Sequence, residues 1–475
     1  MNTWKLALRN LLRNRRRSLA TLLAMIVGAH AVLLFGGYSR NITYGLQTDF
    51  VKTGGHLQVQ RAGFFRYGTG DPAGYSLAHY DKIVDAIRHD PELAPMLAVA
   101  TPVLHLQGIA GNVDAGVSRT AIAVGVVVAD QNRMRAWNDY DFPVEMPPMA
   151  LTGTEPDAAV VGTGLARVLQ MCDALKVADC KQPAKADAAA ATPGTASAAA
   201  DLPADLASLA GAESPGTANA TAAGAPARSA IQLLAATARG APNVADLHVV
   251  KAEEQGVKEV DDMYVGMHLA QAQRLVFGND APKATAIVVQ LKHTDQLPAA
   301  KARIERLLAT QFPQEPVEVL DFATLNPFYG QALAMFATLV GFVALLIGAI
   351  VLFTVGNTMS TAVMERTTEI GTLRAMGLRR AGIRRIFLCE GLMLGVAGAI
   401  IGVVTASLLA GVINHSGLTW TPPGRSPVPL IIRVWGEHAM VVGTMLVLML
   451  VAMMSAWWPA GRASRMNVVD ALRHV

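Results

Sequence analysis

Four long apolar segments constrain this 475-residue chain more than any other feature of its sequence. A bilayer has a hydrocarbon core about 30 Å thick, and roughly 20 apolar residues cross it as a helix, because each residue rises about 1.5 Å. Only 16% of the residues are charged, against about 25% in soluble domains, which argues against an ordinary cytoplasmic enzyme. The sequence predicts transmembrane helices at residues 18–38, 328–353, 386–412 and 438–458.

Basic residues lie beside three of the predicted span ends. Residues 5–17 carry six Lys or Arg and no acid, the segment 354–385 carries six Arg against two Glu, and the tail 459–475 carries three Arg. Cytoplasmic loops are enriched in Lys and Arg, so all three are predicted to be cytoplasmic, which leaves 39–327 and the loop 413–437 outside. The predicted fold class is an α-helical membrane protein with a large α+β periplasmic domain between its first and second helices.

Two interpretations of the first apolar segment are open. The tripeptide Ala29-His30-Ala31 resembles a signal-peptide cleavage site. The apolar run continues to Phe35, however, and is longer than the h-region of a typical signal peptide, about 7–15 residues. This length favours an uncleaved anchor.

The segment 1–17 has an ordered two-faced pattern. Trp4, Leu8, Leu11 and Leu12 share one helical face, and cations repeat on another. This pattern predicts an amphipathic helix in the membrane interface, with its cations towards lipid phosphates. A simple topology signal is the alternative.

The segment 39–327 shows both helical and strand patterns. A helical apolar stripe follows Tyr80, strands are expected at 121–128 and 286–291, and a helix at 298–311. The stretch 181–230 differs, because 21 of its 50 residues are Ala and none is aromatic. Such a composition buries too little apolar area to offset chain entropy. It is predicted to be a flexible insertion within one α+β domain.

Three cysteines exclude a disulfide-dense scaffold. Cys172 and Cys180 lie in the region predicted to be outside, where they can pair, and closing so short a loop would contribute roughly 2.6 kcal/mol on the chain-entropy estimate. Two free thiols are the alternative. Cys389 lies at the end of the third predicted span and is expected to pack rather than react.

Nothing in the sequence predicts catalysis. The chain contains no phosphate-binding G-x-x-x-x-G-K-[ST] loop, no H-E-x-x-H and no G-x-S-x-G motif, and its histidines show no metal-ligand spacing. Asp261 and Asp262 are adjacent acids, which in a loop are ordinarily hydrated. A net charge of +4 is small for a nucleic-acid binder. We therefore expect no catalytic residues, no metal, no directly bound cofactor and no nucleic-acid partner.

The segment after the second span has a helical pattern. A helix is expected to continue through 365–377 and to end at Gly377, a typical helix C-cap residue. Ile370, Leu373 and Met376 recur at three-residue spacing with charges around them, which predicts an exposed apolar knob for a partner's groove. A solvated basic loop is the alternative, but it does not explain the apolar spacing.

This segment resembles a known family. The run Glu365-Arg366-x-x-Glu369-Ile370-Gly371-x-Leu373-Arg374-Ala375-Met376-Gly377, with Asn357 before it and Glu390-Gly391 after it, resembles the signature of FtsX-like permeases of ABC systems, which include MacB-type and lipoprotein-releasing (Lol-type) permeases. Residues 6–11 and 459–473 are also similar to the family. Asn467-Val468 stands where the family usually has Asp-Pro.

The resemblance implies a partnership with an ATPase. Two permease subunits, identical or sister chains, would pair with a cytoplasmic ABC ATPase dimer that binds ATP, in the bacterial inner membrane. The external domains would receive the motion and act on a lipophilic or lipidated substrate such as a lipoprotein, with a periplasmic carrier or outer-membrane partner. The residues implied in ATPase coupling are Glu365, Arg366, Glu369, Ile370, Gly371, Leu373, Arg374 and Gly377.

Two other functions remain open. One is a regulator that activates a periplasmic partner such as a cell-wall hydrolase without transport. The other is a membrane anchor or receptor with no ATPase, which the coupling segment argues against. The large external region favours transport over regulation.

The spans themselves are apolar. Glu390 is the single ionisable candidate for a polar pathway. Gly391, Gly395, Gly398 and Gly402 have G-x-x-x-G spacing, which permits close approach of helices. Packing within one subunit is an equal alternative to a role between moving parts.

Overall fold

A computed structural model describes residues 7, 9, 11, 13, 15–68, 70–142, 146–177, 229–421 and 427–466. The chain divides into two compact units. The helical unit contains Met1–Thr53, Trp137–Val144 and Asp321–Val475, and the α+β unit contains Gly54–Ala136 and Glu145–Leu320.

The elements of the described residues are numbered in chain order. The helices are α1 (Arg15–Gly54), α2 (Phe64–Tyr67), α3 (Tyr80–His89), α4 (Val128–Arg135), α5 (Thr163–Val168), α6 (Cys172–Leu175), α7 (Lys258–Asp261), α8 (Leu269–Phe277), α9 (Leu297–Gln311), α10 (Phe322–Leu325), α11 (Pro327–Glu365), α12 (Thr367–Ala375), α13 (Arg380–His415) and α14 (His438–Arg465). The strands are β1 (Leu57–Arg61), β2 (Leu97–Asn112), β3 (Val117–Val126), β4 (Ala158–Gly162), β5 (Ala230–Ala236), β6 (Pro242–Glu253), β7 (Tyr264–His268), β8 (Ala286–Leu291), β9 (Val317–Asp321), β10 (Thr419–Trp420) and β11 (Val428–Pro429).

Among the described residues, four helices are long and apolar enough to cross a membrane: α1, α11, α13 and α14. Each of the four predicted spans lies inside one of them. The chain is therefore a multi-pass membrane protein. Between α13 and α14, β10 and β11 form a short antiparallel hairpin.

The first helix is much longer than the predicted span. The span was expected to end at Tyr38, but α1 continues to Gly54. Hydropathy falls after Tyr38, yet the segment contains no proline and keeps one face buried, with Asn41, Thr48 and Val51 at helical spacing. The helix ends before Gly55, whose φ of 72° suits glycine.

The other helices also pass their predicted ends. The predicted loop 413–437 begins inside α13, which ends at His415. The predicted tail 459–475 is helical as far as Arg465, with Pro459 inside α14. Of the predicted interfacial helix 1–17, residues 7, 9, 11, 13 and 15–17 are helical, and the remainder lie outside the described residues.

The α+β unit contains a closed ring of strands. The pairing order β3-β7-β4-β6-β5-β2 returns to β3 through the β2–β3 pair. Small inward side chains let this ring close around a core that includes Ala110, Ala121, Ala159 and Val265, with Leu275 of α8. The ring has parallel and antiparallel pairs, for example β3–β7 and β4–β7.

Strand β2 also belongs to a second sheet. Its first half pairs with β8, which continues to β1 and β9. Helices α3 and α9 supply Ile83, Ile87, Ile304 and Leu308 to the core on this sheet. The predicted strand 286–291 and helix 298–311 are confirmed. Residues 181–228 of the predicted insertion lie outside the described residues.

Candidate functional site

The short helix α12 lies in the connection between α11 and α13. The expectation of one continuous helix through 365–377 is wrong, because α11 ends at Glu365 and α12 begins at Thr367. Arg366 between them has φ −105° and ψ 20°, outside helical geometry. The Thr367 hydroxyl donates a 2.6 Å hydrogen bond to the Met364 carbonyl, a local bond that helps end α11.

A buried ion pair anchors this break. Arg366 Nη1 lies 3.1 Å from Glu390 Oε1 on α13, and the two side chains are 8% and 3% exposed. Two buried charges are tolerated when they compensate each other, whereas either one alone would be very unfavourable. Glu390, considered above for a polar pathway, is therefore a structural partner of Arg366 in this conformation.

The predicted apolar knob is partly wrong. Ile370 is only 3% exposed and packs in a cluster with Val363, Ile383 and Phe387, to which α14 contributes Ala460 and Ala463. Leu373 is half-buried against the same cluster. The regular spacing therefore marks the inner face of α12, which fixes the helix on its own membrane bundle. Met376 alone of the three is exposed, at 71%.

The outer face of α12 is a different set of residues. Its exposed positions follow a helical pattern of i, i+1, i+4, i+7 and i+8. We call this set the α12 outer face: Thr368, Glu369, Thr372, Ala375 and Met376. Apart from Glu369 and Met376 its side chains are small, so the face is smooth enough for another protein to approach closely.

Glu369 links α12 to the start of the chain. Its Oε1 lies 2.7 Å from Arg13 Nη2, and both side chains are about half exposed. An exposed pair of this kind contributes only about 0–1 kcal/mol. The pair therefore orients the Glu369 side chain but contributes little to the stability of the fold.

Gly377 ends α12 as the sequence predicts. Its φ is 92°, its N–H donates to Arg374 O at 3.0 Å, and the N–H of Leu378 donates to Leu373 O at 3.1 Å. These two bonds form a Schellman motif, which needs a residue with positive φ. Arg374 donates to the Met466 carbonyl after α14. Of the predicted coupling residues, Arg366, Ile370 and Gly371 are buried, and Glu365, Glu369 and Gly377 are exposed.

Residues 333–468, which include α12, Arg366 and Glu390, match the family model described as FtsX-like permease C-terminal. This C-terminal part of the chain is therefore similar to the FtsX-like permeases.

The chain is also similar to several ABC transporter proteins. It is 29% identical over 201 residues to an uncharacterized ABC transporter permease of Methanocaldococcus jannaschii, covering 42% of this chain and 48% of that protein. Identity is 27% with the macrolide export ATP-binding/permease protein MacB of Rhodopirellula baltica, over 40% of this chain and 26% of MacB. Identity is 34% with the ABC transporter permease YtrF of Bacillus subtilis, over 28% of this chain and 31% of YtrF. The matched parts thus span at most about half of these relatives.

The glycines of the third span face two different helices of the chain. A Cβ at Gly391 would lie 2.6 Å from the Cβ of Ala456 on α14, and one at Gly395 would lie 3.1 Å from that of Ala452. At Gly402 it would lie 2.5 Å from the Cβ of Ala29 on α1. Gly398 faces Met25 of α1. The four glycines therefore bring α13 close to α14 and α1 within one chain.

A second constellation, which no sequence pattern predicts, is centred on Arg433 between β11 and α14. Arg433 Nε donates to Asn41 Oδ1 of α1 at 3.2 Å, and an Nη donates to the Tyr140 carbonyl. The guanidinium carbon lies 4.8 Å from the Phe142 ring centroid. Arg433 therefore joins α1 and the α13–α14 loop to residues 137–142, which we call the strap.

Aromatic stacking completes this constellation. The rings of Tyr44 and Tyr140 stack with centroids 4.2 Å apart and planes 7° apart, and the Tyr44 hydroxyl donates to Glu437 at 2.8 Å. The strap is flanked on both sides in sequence by the α+β unit, yet it belongs to the helical unit. No local pattern signals this, because Tyr140 and Arg433 are 293 positions apart.

In the α+β unit, Asp261 is not the hydrated acid expected from the sequence. It is 7% exposed, and its carboxylate accepts hydrogen bonds from the backbone N–H groups of Thr163 at 3.0 Å, Gly164 at 2.7 Å and Gln255 at 3.1 Å. The N–H groups of Thr163 and Gly164 are at the start of α5, where they have no acceptor within the helix. Asp261 therefore has a structural role.

The cysteines are partly described. Cys172 is in a disulfide, and Cys389 is a half-buried free thiol. Cys180, its predicted partner, lies outside the described residues. No group of His, Cys, Asp and Glu suited to a metal ion occurs in the described part of the chain.

Proposed function

We propose that this chain is the permease subunit of an ABC transporter, which couples through α12 to a cytoplasmic ATPase on a separate subunit. The observation that carries this proposal is that α12 is buried on one face and exposed on the other. Its inner face is fixed to α13 and α14 through Ile370 and the Arg366–Glu390 pair. Its outer face is exposed, so an ATPase bound there would move the membrane helices directly.

The ATPase is proposed to be a separate subunit because the sequence contains no phosphate-binding loop. The MacB relatives are named as ATP-binding/permease proteins, and this chain matches only about a quarter of the first of them. ATP would therefore be bound and hydrolysed by the partner. A second permease subunit, identical or a sister chain, would complete the pair of ATPase docking sites.

The proposed orientation places α12 and both chain ends in the cytoplasm. Residues 354–385 carry six Arg against two Glu, the excess typical of cytoplasmic loops. The α+β unit would then be periplasmic, in a bacterial inner membrane. An alkaline phosphatase reporter inserted after Gly240, an exposed turn with φ 82°, should be active. If a reporter that is active only in the cytoplasm were instead active at that position, the proposed orientation would be wrong.

Motion would reach the α+β unit along continuous helices. The helix α1 runs from Arg15 to Gly54, and only two residues separate it from strand β1, which begins at Leu57. At the other end, β9 finishes at Asp321 and α11 begins at Pro327. Because both connections are short, a tilt or rotation of α1 or α11 would be transmitted rather than absorbed by a flexible linker.

We propose that the cargo is lipophilic or lipidated, such as a lipoprotein taken from the membrane. The apolar spans support extraction at the outer leaflet rather than passage through a polar channel, since the one buried acid in the described part of the four long helices, Glu390, is paired. If depletion of this chain leaves lipoprotein and lipid export unchanged but alters cell-wall hydrolysis, a regulator without transport would be the better description.

The coupling proposal is tested by substitution on the α12 outer face. We expect Met376→Asp and Thr372→Arg to abolish co-purification with the neighbouring ATPase. The matched control is Leu418→Asp, an exposed apolar residue beyond the opposite end of α13. Glu369→Gln should weaken association while changing stability by less than about 1 kcal/mol, because its pair with Arg13 is exposed. Full association of all three variants, or ATP hydrolysis by the purified chain alone, would overturn the proposal.

A further inference from the structure

The α12 end of helices α13 and α14 carries two exposed tryptophans beside arginines. Trp457 and Trp458 are 58% and 67% exposed, at the position where the apolar run of α14 gives way to Arg462. The guanidinium carbon of Arg384, on α13, lies 3.8 Å from the Trp457 ring centroid. That of Arg462 lies 5.7 Å from the Trp458 ring centroid.

These arginines have no carboxylate partner. Arg384 and Arg462 make no ion pair within the described part of the chain, and the Nε of Arg384 is buried without a hydrogen-bond acceptor there. The two described carboxylates nearest in sequence are already engaged, since Glu369 pairs with Arg13 and Glu390 with Arg366. Among the described residues, no carboxylate therefore compensates the charges of Arg384 and Arg462.

The combination has a specific chemical preference. Tryptophan rings at the end of a membrane helix favour the headgroup level of the bilayer, where the ring is apolar and its N–H is hydrated. A guanidinium stacked on such a ring is held in place and presents parallel N–H donors, which match the oxygens of a phosphate. Anionic lipids supply that phosphate at the same depth.

We propose that Arg384, Trp457, Trp458 and Arg462 form a binding site for the headgroup of an anionic phospholipid. The arginines contact the phosphate and the two indole rings contact the glycerol and first acyl carbons. An ATPase surface is a poorer occupant, because the tryptophans continue the apolar surface of a membrane-spanning helix. The inference rests on α13 and α14 crossing the bilayer and does not require an ATPase.

The test uses the purified full-length chain without any ATPase. Native mass spectrometry in detergent would count bound dioleoyl-phosphatidylglycerol against dioleoyl-phosphatidylcholine. We expect a preference of about tenfold or more for the anionic lipid, since each arginine near a lipid surface contributes a factor of about five. Arg384→Gln and Arg462→Gln should each lower phosphatidylglycerol binding about fivefold.

Two control variants distinguish a specific binding site from a general effect of positive charge. Arg385→Gln removes the same charge from the neighbouring exposed position, which has no cation–π contact among the described residues, and should leave binding nearly unchanged. Arg384→Lys keeps the charge without the planar fork and should lie between Arg384→Gln and the native chain. If one variant fails to fold, the other arginine provides an independent test.

Several results would overturn the proposal. A loss for Arg385→Gln equal to that for Arg384→Gln would indicate diffuse positive charge rather than a site. Equal binding of both lipids by the native chain, or displacement of phosphatidylglycerol by millimolar inorganic phosphate, would exclude a lipid headgroup site. Unchanged lipid binding with lost ATPase association in Arg384→Gln would assign these residues to a protein contact.

Discussion

Arg366 and Glu390 form an ion pair, 3.1 Å from Nη1 to Oε1, at the point where α11 stops and α12 begins. Both side chains are at least 92% buried, so each charge depends on the other for its stabilisation. This pair connects the break in the chain to the third membrane helix. It therefore determines where α12 starts and how firmly α12 is held.

The first prediction concerns this pair. Glu390→Gln should destabilise the protein by about 3–5 kcal/mol, because it leaves the Arg366 charge buried without a counter-charge. The double variant Arg366→Met/Glu390→Leu should recover most of that stability, since apolar residues of similar volume are often neutral replacements for a buried pair. Thermal unfolding of the full chain in detergent measures both. A Glu390→Gln variant as stable as the native chain would show that the pair is not buried and ionised.

The second prediction concerns the glycines of α13. Gly402→Val and Gly391→Val should each destabilise the helix bundle by about 1–3 kcal/mol, because the first added carbon would already lie 2.5–2.6 Å from an alanine Cβ on α1 or α14. Gly411→Val is the matched control, since a Cβ there meets nothing within 4 Å. Unfolding in mixed micelles of increasing SDS content measures the difference. Equal stability of all three variants would contradict this close packing.

The membrane spans were predictable because an apolar stretch of about 20 residues is a local property of the sequence. Their ends were not, because a helix continues wherever one face can be buried, as it does after Tyr38 in α1. Gly377 was predictable as a helix end, since a Schellman motif is also local. The break at Arg366 depends on Glu390, 24 positions away, and was missed.

The candidate site shows the same limit. Periodicity placed Ile370 and Leu373 on one face, but it could not show whether that face meets a partner or this chain. Ala460 and Ala463 of α14, about ninety positions later, cover it. The closed ring of strands could not be predicted for a similar reason. It depends on pairs that are distant in sequence, such as β3 at 117–126 with β7 at 264–268. Long-range pairings of this kind leave no local pattern.

The third prediction concerns the strap, residues 137–142. Arg433→Ala should raise the amide hydrogen exchange rate of the strap by about tenfold or more, because it removes a charged donor worth about 1.5–3 kcal/mol per bond. Arg433→Lys should give an intermediate rate, since a lysine cannot reach Asn41 and Tyr140 with one planar group. Arg40→Ala is the control, because Arg40 is half exposed and 3.7 Å from Glu437. Exchange in the strap that is unaffected by Arg433→Ala would show that the strap is held by other contacts.

The fourth prediction concerns the pH dependence of the α+β unit. Burial lowers the pKa of His105 to about 4 from its usual 6.5. Its Nδ1 lies 3.1 Å from Thr285 Oγ1, whose hydroxyl donates to the Val103 carbonyl, so Nδ1 is the donor in this contact. Between pH 6.5 and 4 the unfolded chain binds a proton at this position that the folded chain does not. The contribution of His105 to the free energy of unfolding is therefore fully present above pH 6.5. It is lost as the pH falls towards 4, and the loss is at most roughly 3 kcal/mol.

His268 and Asp90 also have shifted pKa values that make the stability of the α+β unit depend on pH. Burial also lowers the pKa of His268, which adds to the loss over the same range. Hydrogen bonds from Arg303 hold the pKa of Asp90 below its usual value, so that group contributes stability above pH 3.8 and loses it only in stronger acid. Hydrogen exchange of β2, β3 and β8, corrected for the intrinsic pH dependence, should show declining protection from pH 6.5 to 4.5. His105→Gln should flatten most of this decline and leave the loss below pH 4. An unchanged slope in His105→Gln would remove His105 as its source.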